Sequence, residues 1–243
     1  MVPWTKQDRR SPAAERQAAM KYQGVFFDFD YTIGDSTHPI TVGYRQGLAA
    51  MGWPEPTVDQ VRHTVGYTLM DGYTMLTGDP DPDRQQRFYQ LFQQAVGEAS
   101  GKNHQRIMVE GTRLFPGTRE LLTALKEQGA RVAVVSTKLG KTIRGIFDHQ
   151  GIGALADLIL GGRDVTRPKP DPEGLRLAME RLGLRRDQVL FCGDTVIDAG
   201  AARNAGVDFC AVLNGTTPAA AFAEYPHVHI APDLMELRAW LEV

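Results

Sequence analysis

The 243-residue sequence has few cysteines, no excess of basic charge and no long apolar runs, and each of these missing features would indicate a particular class of protein. It contains two cysteines, and its 27 basic and 29 acidic side chains give a formal net charge of −2. The near balance of charge argues against a protein that binds nucleic acid or a membrane surface, because such proteins usually carry a basic excess. Two cysteines are too few for a disulfide framework, so the fold has to rely on an apolar core.

The cysteines and the apolar runs also bear on location. Cys192 and Cys210 each stand within an apolar run typical of a strand, which predicts buried thiols in a reducing environment. No run approaches the length of a membrane span, and the N-terminus lacks the apolar centre of a secretory signal. We therefore expect a cytoplasmic protein. Its 42% apolar and 23% charged residues are close to the globular average, which is compatible with one or two domains.

Short apolar runs separated by segments long enough to hold helices dominate the sequence after residue 20. The runs are continuously apolar rather than alternating, which is typical of parallel strands covered by helices on both faces. They lie at 24–27, 131–135, 158–160, 188–192 and 207–212. Helical periodicity is clearest over 118–128 and 172–182, so the pattern predicts an α/β protein with a parallel sheet.

One long segment, 36–111, interrupts this alternation. It has no convincing strand, and prolines and glycines divide it into helical stretches at 40–51, 58–65, 69–76 and 84–98. We interpret it as a small helical cap domain above the carboxyl ends of the strands, where open α/β sheets bind their ligands. The core would then comprise 21–35 and 112–243. Residues 1–20 lack an apolar period and are expected to be a poorly ordered extension.

Acidic residues follow two of the predicted strands. The first apolar run leads directly into Asp28 and Asp30, and side chains two residues apart in an extended chain point the same way. The run that ends at Cys192 leads into Asp194 and Asp198, which are spaced by about one helical turn at a predicted helix start. Either pair alone is a common turn or helix cap. Together they favour one acidic site.

Hydroxyl and basic side chains are expected at the same place. The run that ends at residue 135 leads into Ser136 and Thr137, and Lys169 stands in the loop before the helix predicted at 172–182. The carboxyl ends of parallel strands meet at one edge of a sheet, so these side chains should face the two acidic pairs. The six histidines show no spacing typical of a metal site.

Four motifs in this order resemble those of the haloacid dehalogenase superfamily, and specifically its Mg²⁺-dependent phosphatases with a helical cap. The motifs are Asp-Phe-Asp at 28–30, Ser-Thr at 136–137, Lys-Pro-Asp-Pro at 169–172 and Gly-Asp-Thr-x-x-Asp at 193–198. Together with Phe-Pro-Gly at 115–117, the last two look most like the phosphoglycolate-phosphatase-like branch. The resemblance extends from about Lys21 to the C-terminus and implies a Rossmann-like core.

The resemblance also implies a role for each motif. Asp28 would be the nucleophile that forms an aspartyl-phosphate, and Asp30 the general acid and then the general base. Lys169 would hold the nucleophile and a phosphate oxygen, and Ser136 and Thr137 would bind other phosphate oxygens.

A cluster of hard oxygen ligands without histidine or cysteine suits Mg²⁺. The resemblance implies that Asp28, the main-chain carbonyl of Asp30 and Asp194 hold the ion, with Asp198 in a supporting role. In the cap, the resemblance suggests that the turn at 65–69 faces the phosphate through Gly66 and Thr68, and an ordinary turn between helices explains it equally well.

Tyr31 departs from the family pattern, which has glycine immediately after the acid/base aspartate. Because tyrosine rarely adopts backbone conformations that favour glycine, we expect ordinary dihedral angles there. Its ring would either pack beneath the cap, which we favour, or border the substrate.

The sequence thus predicts a phosphatase that acts on a small phosphorylated metabolite, such as phosphoglycolate or a sugar phosphate, as a monomer or homodimer. A phosphomutase that passes the phosphoryl group to a second sugar hydroxyl is a close alternative. A non-catalytic regulatory protein with the same fold is a third hypothesis, against which the intact acidic pairs and Lys169 argue.

Overall fold

A six-stranded parallel sheet runs through the centre of the computed structural model, which describes residues 20–97 and 106–243. Its strand order is β5-β4-β1-β6-β7-β8. The strands are β1 (Gly24–Phe27), β4 (Arg131–Val135), β5 (Leu158–Leu160), β6 (Val189–Gly193), β7 (Asp208–Val212) and β8 (His229–Ala231). A separate two-stranded antiparallel ladder pairs β2 (Gly34–Asp35) with β3 (Arg113–Leu114).

The helices of the described residues fall into two groups. The first group, in the segment that follows β2, contains α1 (Thr37–Ala49), α2 (Val58–Arg62), α3 (Leu69–Thr77), α4 (Pro82–Ala95) and α5 (Arg106–Gly111). The second group alternates with the strands and contains α6 (Thr118–Glu127), α7 (Gly140–His149), α8 (Glu173–Leu182), α9 (Val196–Ala205) and α10 (Leu234–Leu241). The predicted α/β class is therefore confirmed.

Alternate residues of each strand pack into two separate cores, one on each face of the sheet. Val25 and Phe27 of β1 face a core that includes Leu121 of α6 and Ile143 of α7. Phe26 faces the opposite core, which contains side chains of α8 and α9. Covering on both faces explains why the strands are continuously apolar, since neither side of the sheet meets water.

We call residues 36–111 the helical cap, and this segment has an apolar core of its own. The largest buried side chains in it are Tyr44, Tyr73, Phe88 and Phe92, and the rings of Tyr44 and Phe88 lie 5.2 Å apart. The β2–β3 ladder joins the two ends of the segment, so the chain leaves and rejoins the core side by side. The predicted cap stretches at 40–51, 58–65, 69–76 and 84–98 correspond to α1–α4, and Glu98 lies outside the described residues.

Short elements were missed from the sequence. Neither α5 nor β8 was predicted, and the two-residue strands β2 and β3 were not predicted either. Such short elements carry too few residues for a clear hydrophobic period and are stabilised mainly by their tertiary partners. Cys192 and Cys210 are free and buried, as expected. The predicted N-terminal extension lies outside the described residues except for Met20.

No helix in 20–97 or 106–243 combines the length and apolar character needed to cross a lipid bilayer.

Candidate active site

Three adjacent strands bring the sequence motifs to one edge of the sheet. The central strand β1 lies between β4 and β6, and these strands lead into Asp28, Ser136 and Asp194 respectively. The amide of Asp28 donates to Cys192 O at 2.9 Å, and that of Ser136 donates to Leu160 O at 3.0 Å, so the ladder holds both residues just beyond the strands. The sheet thus places the first, second and fourth motifs together.

Lys169 joins Asp28 to Asp198 in a buried ion cluster. Its Nζ lies 2.9 Å from Asp28 Oδ1 and 2.6 Å from Asp198 Oδ1. The side chains of Asp28 and Asp198 are each 1% exposed and that of Lys169 is 5% exposed, so water contributes little screening. The ammonium of Lys169 is therefore held against the carboxylate of Asp28.

Helix α9 determines where Asp198 points. Thr195 caps the N-terminus of this helix, and its side chain and that of Asp198 form a reciprocal capping box. Asp198 Oδ2 accepts from Thr195 N at 3.0 Å and from Thr195 Oγ1 at 2.6 Å, which leaves Oδ1 for Lys169. Asp198 therefore holds the ammonium of Lys169, and its supporting role in the reaction stays a prediction.

Burial and charge shift the pKa values of this cluster. Burial raises the pKa of Asp28 to about 6, although the nearby ammonium of Lys169 acts in the opposite direction. Burial, together with the charges of Asp198 and Asp28, raises the pKa of Asp194 well above its usual range. For Lys169, burial alone would lower the pKa, but the charges of Asp198 and Asp28 outweigh it and raise the pKa above its ordinary value. The lysine is therefore charged at neutral pH.

A metal ion would fit the oxygen atoms of this cluster. Asp28, Asp194 and Asp198 are buried, and one carboxylate oxygen of each lies within 4.8 Å of the others. Because Lys169 and Thr195 already occupy the Asp198 carboxylate, the oxygens best placed for an ion belong to Asp28 and Asp194. A buried set of carboxylates with one ammonium between them carries excess negative charge, which a hard divalent cation would neutralise.

The loop after β7 supports Asp194 and was missed from the sequence. Thr32 Oγ1 donates to Asp194 Oδ1 at 3.1 Å, and Asn214 Nδ2 donates to Thr32 O at 3.0 Å. Gly215 lies so near that a Cβ atom built on it would stand 2.1 Å from Asp194 Oδ2. The Asn-Gly-Thr sequence directly beyond a predicted strand end was the available signal for this loop.

Substitution of Gly215 by alanine is expected to displace the carboxylate of Asp194. A contact of 2.1 Å is far below van der Waals separation, so one group has to move. We expect the Mg²⁺ concentration for half-maximal activity to rise by about tenfold or more, in the range found for changes that support metal ligands. Gly111→Ala is the control, because its Cβ would meet no atom closer than 3.4 Å. Equal Mg²⁺ requirements in the two variants would contradict this role of Gly215.

Asp30 faces a second lysine rather than the metal cluster. Lys138 Nζ lies 3.1 Å from Asp30 Oδ2 and 3.3 Å from Ser36 Oγ, and its side chain is 7% exposed. Lys138 was not singled out from the sequence, although it directly follows the Ser-Thr motif. The ion pair fixes the direction of the Asp30 carboxylate, which lines the cavity described below. The proposal that the Asp30 main-chain carbonyl binds Mg²⁺ stays a prediction.

The expectation of ordinary dihedral angles at Tyr31 was wrong. Its φ is 60°, in the left-handed region, because the chain turns tightly here and Tyr31 N donates to Gly34 O at 2.8 Å. That conformation costs a non-glycine residue about 1–2 kcal/mol. The ring offsets the cost by packing in the core of the helical cap at 2% exposure, and its hydroxyl bonds with Thr37 Oγ1 at 2.8 Å. Packing beneath the cap, the favoured alternative, is confirmed.

A cavity of about 430 Å³ separates the helical cap from the strand ends. Gly66 and Thr68 of the cap turn and Asp30 and Thr137 of the core all line it. Gly66 has a φ of 96°, and a Cβ there would lie 2.8 Å from Thr195 Cγ2, so the cap turn closely approaches the core. The hydroxyl of Thr68 caps α3 and donates to Asp71, so its role toward a phosphate stays a prediction.

The chain resembles known proteins over most of its length. Residues 25–212 match the family model described as haloacid dehalogenase-like hydrolase. A phosphoglycolate phosphatase from Rhodobacter capsulatus is 30% identical over 223 residues, which cover 89% of this chain and 98% of that protein. A phosphoglycolate phosphatase from Pseudomonas putida is 29% identical over 201 residues, or 79% of this chain and 69% of that protein.

Solved structures show the same likeness. The crystal structure of a haloacid dehalogenase-like hydrolase from Bacteroides fragilis is 39% identical, covers 89% of this chain and 100% of its own, and superposes with a TM-score of 0.83. The crystal structure of a predicted phosphoglycolate phosphatase from Haemophilus somnus, at 24% identity and a TM-score of 0.78, shares the fold. The chain belongs to the haloacid dehalogenase-like hydrolase family, and it is an enzyme of the phosphatase kind, a phosphoric monoester hydrolase.

Proposed function

We propose that this enzyme is a Mg²⁺-dependent phosphatase that hydrolyses a small phosphorylated metabolite through an aspartyl-phosphate on Asp28. The observation that carries the proposal is the buried cluster in which Lys169 holds Asp28 beside Asp194 at the strand ends. A buried carboxylate whose orientation is fixed by a neighbouring ammonium is suited to attack phosphorus. The names of the relatives make phosphoglycolate, and then sugar phosphates, the first compounds to test.

In the first step, an Asp28 oxygen forms a bond to phosphorus while the bond from phosphorus to the leaving oxygen breaks. Asp30, which faces the cavity, would give a proton to the departing alcohol. In the second step, water attacks the phosphorus of the aspartyl-phosphate while the bond from phosphorus to the Asp28 oxygen breaks. Asp30 would take a proton from that water, and inorganic phosphate leaves. Splitting one difficult displacement in this way gives two easier ones.

The remaining residues bind and orient the phosphoryl group. Lys169 and Ser136 lie at the nucleophile, and Thr137 lines the cavity beside it, so they are placed to hold phosphate oxygens. Mg²⁺, held by Asp28 and Asp194, would neutralise part of the charge on the transferring group. Lys138 keeps the Asp30 carboxylate directed at the cavity. The cytoplasmic location and the monomeric or homodimeric state expected from the sequence stay predictions.

Phosphate release from p-nitrophenyl phosphate and a phosphometabolite panel, with and without exhaustive EDTA treatment, tests this function. We expect activity with Mg²⁺, its loss with EDTA, and its return when Mg²⁺ is restored. Activity that survives EDTA would show that the Mg²⁺ assignment is wrong. Release of phosphate from sugar phosphates only in the presence of a bisphosphate activator would favour a phosphomutase instead.

Thermal unfolding provides a second test of metal binding that does not depend on activity. The pKa of Asp28 is raised from its usual value to about 6 in the folded protein, because ionisation of the buried carboxyl is unfavourable. The metal-free fold therefore loses stability as the pH rises from about 4 through 6. Mg²⁺ relieves this cost only where the carboxylate is ionised. At about 100 times its Kd, we expect Mg²⁺ to raise Tm by about 5–10 °C near neutral pH. A gain of the same size near pH 5 would contradict the assignment.

A further inference from the structure

The cavity above Asp30 has walls that differ from those expected for a small anionic substrate. Most of the cap side chains that line it are apolar, among them Ile40, Val65, Leu69, Met70, Phe92 and Met108. A volume of about 430 Å³ lies within the range of about 300–1,000 Å³ in which ligand pockets enclose drug-sized molecules. The space is large, and its cap side mainly apolar, for a leaving group of a few polar atoms.

Few of the described side chains of the cavity wall are charged. Among the described residues, the charged side chains that line the cavity are Asp30, Lys138 and Arg163. Asp30 and Lys138 pair with each other at 3.1 Å. Arg163 is exposed at the cavity's core side and donates to Tyr89 Oη at 2.9 Å. Arg45 of α1 lies outside this cavity and donates to Pro56 O at 3.1 Å. Within 20–97 and 106–243, the cap side of the wall thus offers no cation to a buried carboxylate.

One polar side chain of the wall is buried and has no partner. Gln93 of α4 is 6% exposed and lines the cavity, and its amide makes no hydrogen bond to any of the residues in 20–97 and 106–243. Among the described residues, Gln93 has no side-chain atom that is both fully buried and without a partner, so its amide keeps some surface open to the cavity. Gln93 is therefore placed to bond a ligand, and its amide can both donate and accept.

We propose that the leaving group of the substrate is a bulky, uncharged and mainly apolar alcohol that carries a hydrogen-bonding group for Gln93. The inference rests on the proposed phosphatase function and narrows its substrate class. The phosphate of the substrate would lie at Asp28, and its apolar body would fill the cavity under the helical cap. Phosphoglycolate would be a poor substrate, because the carboxylate of its glycolate part would meet an apolar wall.

A series of n-alkyl phosphates from ethyl to hexyl, compared with 2-phosphoglycolate, tests the apolar part. The alkyl esters have leaving alcohols of similar reactivity, so differences in kcat/KM report burial of the chain. We expect kcat/KM to rise by about two- to fourfold per methylene and to exceed that for phosphoglycolate with the hexyl ester. A flat series, or phosphoglycolate as the best ester, overturns this inference and leaves the phosphatase function intact. No release from any ester, p-nitrophenyl phosphate included, overturns both.

Two methionines of α3 provide a matched pair of variants. Met70 lines the cavity, whereas Met75 is 49% exposed and does not line it. Met70→Lys places an ammonium in the apolar wall, so kcat/KM for hexyl phosphate should fall by about tenfold or more while that for phosphoglycolate is kept or raised. Met75→Lys should change neither. An equal effect of the two substitutions on hexyl phosphate would contradict the proposed position of the leaving group.

Gln93→Leu separates recognition by this side chain from a structural role. Hexyl phosphate has no group for the amide, whereas 6-hydroxyhexyl phosphate carries a terminal hydroxyl, so Gln93→Leu should lower kcat/KM for the hydroxylated ester by about three- to tenfold more than for hexyl phosphate. An equal effect of Gln93→Leu on the two esters, with an unaltered Tm, would show that Gln93 does not bond the leaving group.

Discussion

Replacement of Asp28 by asparagine is expected to lower kcat for phosphate release by at least about 10³-fold, because an amide does not replace a carboxylate as nucleophile. The substitution keeps the shape of the side chain. Lys169 keeps its partner Asp198 at 2.6 Å, so the ion cluster is not broken. Since burial raises the pKa of Asp28 to about 6, removal of its charge should leave the stability near neutral pH unchanged or higher.

Steady-state phosphate release and chemical trapping of a phosphorylated protein are the measurements for Asp28→Asn. The wild type should yield an acid-stable phosphoprotein on brief exposure to substrate, and the variant should yield none. Asp83→Asn, at an exposed position in the first turn of α4, is the control and should behave as wild type. Unchanged phosphate release by Asp28→Asn would show that another group is the nucleophile. If the wild type itself releases no phosphate, a non-catalytic role becomes the better hypothesis.

Replacement of Lys169 by methionine is expected to lower the free energy of unfolding by about 3–5 kcal/mol near neutral pH, as found when one partner of a buried ion pair is removed. The carboxylates of Asp28 and Asp198 lie 2.9 and 2.6 Å from its ammonium and would lose their only close cation among the described residues. Activity should fall by about 10²–10³-fold, because the phosphoryl oxygens lose a fixed positive charge.

The pH dependence of Lys169→Met separates lost charge from lost packing. Protonation of Asp28 below its raised pKa removes the uncompensated charge, so the stability loss should be smaller near pH 5 than near pH 7. The double variant with Asp198→Asn should recover part of the stability. Lys126→Met is the matched control: its Nζ lies 2.6 Å from Asp157, but the lysine is 27% exposed and Arg131 also pairs with that carboxylate. We expect a loss of about 1 kcal/mol or less there. A similarly small loss for Lys169→Met would contradict the structural role of the buried lysine.

Elements with strong local patterns were predicted well. The predicted helix at 69–76 is observed as Leu69–Thr77, and the one at 118–128 as Thr118–Glu127. Helix ends were predicted less accurately. The helical stretch predicted at 58–65 ends at Arg62 in the structure. The chain then turns through Gly66, which closely approaches Thr195 of the core, and such a contact leaves no periodic signal in the sequence.

The amino-acid sequence by itself determined the α/β class and the helical insertion after the first strand. It also determined that acidic, hydroxyl and lysine residues follow the strands. These depend on hydrophobic period and on strand ends, which are local properties. The tertiary structure alone decided the direction in which each of those side chains points. Asp28 and Asp198 share Lys169, whereas Asp30, two residues beyond Asp28, turns to Lys138 and the cavity.

The same distinction explains what was missed. Gly215 bears on the site only because β7 lies beside β6, which brings its loop within contact of Asp194. Tyr31 can keep a left-handed backbone conformation because burial of its ring in the helical cap offsets the free-energy cost of that conformation. Gln93 becomes informative only because folding places its amide in the cavity wall without a partner among the described residues. Such effects arise from contacts between residues far apart in the chain, which local patterns do not contain.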